Sequence, residues 1–91
     1  MIVKFSSKFE NKLIKLGKRN KDVFRKLSKQ IELLKDDVSY PSLRLHKLDS
    51  VVEDLWSLSL DRKLRAIFIW NVEIDEVYFV DIGNHDEVYR K

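Results

Sequence analysis

Two histidines, His46 and His85, are the only imidazoles in the 91-residue chain. Their unperturbed pKa, about 6.5, lets either side chain take up or release a proton near neutral pH. His85 stands in the closing stretch "GNHDEVYR", together with Tyr89 and Arg90 and close to Asp81, Asp86 and Glu87. A terminus that only ends a strand does not need that set. An imidazole beside a cation and an aromatic hydroxyl suits proton transfer on an anionic substrate. The stretch is read as half of a site whose other half is expected near His46.

The remaining composition narrows the class. Ninety-one residues make one domain, 1–91, with a single modest core. Without cysteine, neither a disulfide framework nor a thiolate metal site is expected, and an ordinary intracellular, cytoplasmic chain is the reading. The start "MIVKFSSKFENK" is broken by Lys4 and does not read as a signal peptide, and no stretch reaches the length of a membrane span. Charge is divided unevenly. Residues 1–35 carry 11 Lys/Arg against 3 Asp/Glu, whereas residues 36–91 carry 7 against 12. A basic front half attracts RNA or an acidic protein partner, although lysines on helices also serve simply as a solvated face.

The elements that must position these residues follow from periodicity. "IVKF" reads as a first strand, and Ser7 with Glu10 matches a capping box at a helix start. Phe9, Leu13 and Leu16 recur at helical spacing up to Gly17, a residue that suits a helix end. Val23, Leu27, Ile31 and Leu34 mark a second amphipathic helix, from about Asn20 to Lys35, that closes a hairpin with the first. Tyr40-Pro41 breaks the helical run, after which "LRLHKL" (43–48), "DLWSLSLD" (54–61), "LRAIFIW" (64–70) and "EVYFVDI" (76–82) are extended. Gly83 is expected to turn the chain sharply after the last of these. The sum is an α+β domain of order β-α-α-β-β-β, a helical hairpin on a small, twisted, mostly antiparallel sheet. Leu64, Ala66, Phe68 and Trp70 are assigned to the helix side of that sheet, leaving Arg65 on the open face or its margin.

The order of elements, with "LRLHKL", "DLWSLSLDRKLRAIF" and "VDIGNHDEVYR", resembles the RelE/ParE toxin superfamily, above all the RelE-type mRNA interferases and their YafQ-like and YoeB-like relatives. The resemblance spans nearly the whole chain and is specific over residues 43–90. It implies a RelE-like fold and a toxin that cleaves mRNA, commonly on the ribosome, and is neutralised by a cognate antitoxin, with no metal and no cofactor. It also implies roles. Arg65 matches the strand arginine that precedes an aliphatic and aromatic run, here Ala66-Ile67-Phe68. His46 falls where relatives carry a general base, His85 on a histidine after the last strand, and Tyr89 on an aromatic position near the end. Leu60 replaces another histidine of YafQ-like proteins, and Lys63-Leu64 replaces an aspartate-tryptophan pair.

On that resemblance His46, Arg65, His85 and Tyr89 are the catalytic set, while Arg44, Lys47, Arg62 and Arg90 hold the RNA backbone. The competing class is non-catalytic: a ParE-like gyrase inhibitor, or a relative that only binds protein. His46, Arg65 and His85 together favour cleavage, since a binding module does not need acid, base and anion site at once. The acidic balance of residues 36–91 counts against it mildly.

Overall fold

The computed structural model describes residues 1–49 and 54–84. Strand β1 (Ile2–Phe5) leads into helix α1 (Ser7–Arg19), helix α2 (Val23–Asp36) and a 3-10 turn at Pro41–Leu43. Strands β2 (His46–Lys47), β3 (Leu55–Ser59), β4 (Leu64–Asn71) and β5 (Glu76–Asn84) complete the order. They form one five-stranded sheet, β1-β5-β4-β3-β2, in which β1 runs parallel to β5 and every other pair is antiparallel. This is the α+β arrangement expected from periodicity.

Several local boundaries fall elsewhere than the sequence suggests. The α1 cap is Ser6 rather than Ser7: the Phe9 amide donates to the Ser6 hydroxyl at 3.0 Å, and the chain turns helical one residue earlier. Gly17 lies inside α1, which continues to Arg19. A Cβ at residue 17 would lie 2.3 Å from the Phe24 ring, so the glycine there admits the neighbouring helix. Gly83 makes no turn; it pairs with Arg65, and β5 continues to Asn84. Of "LRLHKL", only His46 and Lys47 are strand, because Leu43 closes the 3-10 turn and Arg44 takes a left-handed conformation, φ 47°.

The helices cover one face of the sheet. Leu58, Ala66, Phe68, Val77, Phe79 and Ile82 meet Phe9, Val23, Leu27 and Leu34 there, joined by Leu43 and Leu60. Phe79 is the hub: its ring lies 5.6 Å from Phe5, 5.3 Å from Phe9 and 5.3 Å from Phe68. Gln30 is a buried polar residue within this layer, and its side-chain amide donates to the carbonyls of Ser42 (3.0 Å) and Ser59 (2.6 Å). That pair of bonds ties α2 to the 3-10 turn and to the end of β3.

Candidate RNA-cleavage site

Arg65 is the second residue of β4, opposite Ser59 on one side and Gly83 on the other. Its side chain lies on the face away from the helices, as the alternation of β4 requires. It is nonetheless buried, with a relative exposure of 9%. The guanidinium Nε donates to the Ser57 hydroxyl at 3.1 Å, and an Nη donates to the Arg44 carbonyl at 2.6 Å. Arg44 presents that carbonyl because its left-handed backbone reverses the chain after the 3-10 turn. A hydroxyl and a carbonyl oxygen therefore hold the fork in place.

His46 is exposed on the edge strand β2 and pairs with Ser57. Residues directly opposed across antiparallel strands share a face, so His46 lies on the Arg65 side of the sheet. It stands two strand spacings, about 10 Å, from the Ile67 position on β4. The next residue, Lys47, is exposed on the same edge strand and pairs with Trp56. His85, Tyr89 and Arg90 lie outside the described residues.

At the end of the sheet a cleft of about 670 Å³ opens between α2, the 3-10 turn and the β3–β4 turn. Six cations line it: Arg25, Lys26 and Lys29 from α2, with Arg44, Arg62 and Arg65. Arg25 and Lys29 are one helical turn apart and present one edge of α2 to the cavity. Read as a sequence, they are part of a solvated helical face; only the packing of α2 against the turn gives them a shared target. The surplus of cations in residues 1–35 is the sequence signal that points to them.

Asp61 is the acid of this cleft. Its carboxylate accepts from the amides of Lys63 and Leu64, both at 2.8 Å, and from the Lys26 ammonium at 3.2 Å. Burial pushes its pKa up, but the Leu64 and Lys63 amides and the Lys26 charge together outweigh burial and hold it below the ordinary carboxylate range. Leu60 is buried in the core and also borders the cleft. Asp81 is an ion-pair anchor, held by Lys12 at 2.8 Å and Lys8 at 3.4 Å. Among the described residues no three His, Cys, Asp or Glu side chains gather as a metal site.

No protein-family profile and no curated relative matches the chain. Solved structures do, and they define the fold as that of the RelE-like toxins. A metal-bound toxin from Helicobacter pylori is 22% identical with a TM-score of 0.81, covering 98% of this chain and 99% of that one. YafQ in the E. coli DinJ-YafQ complex is 18% identical with a TM-score of 0.76, covering 96% of each chain. The YoeB/ParE toxin from Agrobacterium tumefaciens is 10% identical with a TM-score of 0.77, covering 93% of this chain and 99% of that one.

Proposed function

We propose that the protein is a toxin-type endoribonuclease, an mRNA interferase acting in the cytoplasm on translated mRNA and neutralised by a cognate antitoxin. The observation that carries the reading is the seat of Arg65: a guanidinium fixed by Ser57 and the Arg44 carbonyl at the border of a cleft lined by five further cations, on the sheet face that His46 shares. In this scheme His46 removes the proton from a 2′-hydroxyl, and the oxygen attacks the adjacent phosphorus. The Arg65 fork takes the charge that grows on the phosphoryl oxygens. His85 gives a proton to the departing 5′-oxygen, and Tyr89 steadies the phosphate or stacks on a base. Arg44 and Arg62 hold the strand from the cleft, and Lys47 and Arg90 are assigned to the same task. RNA alone carries the nucleophile.

The test is cleavage of an mRNA with and without ribosomes, set beside the same message with a 2′-deoxy nucleotide at the cut. Wild type is expected to cut the first and spare the second, and His85→Gln should lower the rate roughly 10²–10⁴-fold, the worth of one proton-transfer group. Cleavage of both substrates overturns the mechanism. Inactivity on RNA together with inhibition of gyrase makes the protein a ParE-like inhibitor instead. Co-expression with an adjacent gene tests the antitoxin, which is expected to co-elute on size exclusion; a toxin that elutes free of every neighbouring gene product removes that part.

A further inference from the structure

The β3–β4 turn has a cleft on each side. On the flank away from Arg65 lies a second cavity of about 670 Å³, between the C-terminal half of α1, the start of β4 and the end of β5. Lys12, Lys15, Arg19 and Lys63 wall it, and Leu16, Leu64 and Ile82 make its floor. Asp61 borders both cavities, while the successive turn residues Arg62 and Lys63 go one to each. Lys12 is engaged with Asp81. Lys15, Arg19 and Lys63 have no carboxylate within ion-pair distance among the described residues.

Like charges crowded round one concavity repel each other and raise the local concentration of anions. An apolar floor under a cationic wall fits a nucleotide, whose base has an apolar face and whose phosphate is charged. The two cavities also share a wall, so one polyanion lying across the turn satisfies both sets of cations at once. An acidic peptide matches the charge of the second cavity but gives no reason for its continuity with the Arg65 cleft.

We propose that the second cleft is an RNA subsite, holding nucleotides that flank the scissile phosphate after the strand has crossed the β3–β4 turn. This rests on the ribonuclease reading and extends its footprint from one cleft to two. Lys15, Arg19 and Lys63 contact backbone phosphates there, and Leu16, Leu64 and Ile82 receive a base without hydrogen-bond readout, so the subsite adds affinity and tolerates any sequence.

The test measures binding of fully 2′-deoxy-substituted, uncleavable strands, a trinucleotide and a dodecanucleotide, by fluorescence anisotropy over a range of salt. Each phosphate neutralised on a single strand contributes about −0.7 to the slope of log K against log salt. The triple variant Lys15→Gln/Arg19→Gln/Lys63→Gln should bring the dodecanucleotide slope about 2 closer to zero and leave the trinucleotide unchanged. A dodecanucleotide slope equal to wild type overturns the second subsite and leaves the first cleft standing. Absence of any strand binding by wild type overturns both. A variant that keeps the wild-type slope but loses binding to a poly-glutamate peptide assigns the cavity to a protein partner and overturns the RNA subsite.

Discussion

Arg65 is a buried cation, and its proposed task as an anion site depends on how its fork is held. Its Nε donates to the Ser57 hydroxyl and an Nη to the Arg44 carbonyl, which fix the fork in one orientation. Replacement by lysine keeps the charge and loses the fork. We expect Arg65→Lys to reduce RNA cleavage by about 10²-fold, the scale of removing one aligned transition-state donor, and Arg65→Ala to abolish it. Because the residue is buried, Arg65→Ala should also lower stability by about 1–3 kcal/mol, read by urea unfolding. Wild-type cleavage by Arg65→Lys would mean that charge alone acts there. The face of Arg65 was legible from the alternation of "LRAIFIW", but its burial was not. That depends on Ser57 and on the Arg44 carbonyl, and no periodicity places a left-handed residue 21 positions upstream against a strand arginine.

At the scale of elements, α2 and the β3–β4 turn form the first cleft, and two residues fix their spacing. Gln30 bridges to Ser42 and Ser59, so Gln30→Leu leaves two carbonyls without those donors and should cost about 1–3 kcal/mol, seen in denaturant unfolding. An unchanged midpoint would show that the bridge is incidental. Asp61 is expected to act in opposite directions on folding and on the proposed RNA binding. Its folded pKa is depressed, so its stabilisation is fully present above the unfolded value of about 3.9 and is lost as pH falls through the folded value. Asp61→Asn should therefore lower stability at neutral pH by about 1–2 kcal/mol and flatten the acid limb of stability against pH. It should also tighten RNA binding at low salt, since one negative charge leaves a wall of cations; weaker binding would contradict the placement of the strand. These elements were legible in kind but not at their ends. Ser6 and Ser7 are equally good caps by type, and only the helix start decides between them. Gly17 and Gly83 were read as breaks because glycine permits them. In the fold Gly17 leaves room for the Phe24 ring and Gly83 simply continues a ladder, and neither place leaves a local signature.

Across the whole molecule, the hub at Phe79 joins β1, α1, β4 and β5 through Phe5, Phe9 and Phe68. Phe79→Ala should cost about 3–5 kcal/mol, a large part of what a domain this small possesses, and a thermal melt should show it. Helix count, the order of elements along the chain and the helix-covered face of β4 were readable from period and apolar stripe. The parallel pairing of β1 with β5 was not, since "IVKF" says strand but carries no mark of its neighbour. That pairing has a consequence for the birth of the chain. Strand β1 is made long before β5, its one neighbour among the described strands, with Ile2 meeting Glu76 and Phe5 meeting Phe79. Until β5 has been made, β1 has nowhere to dock and the aromatic hub lacks its centre, so folding cannot proceed piece by piece behind the growing end. A chain stopped after Asp75 should show no cooperative unfolding transition by circular dichroism. The core, and with it the β4–β5 ladder that flanks Arg65, is thus completed only once β5 has been synthesised.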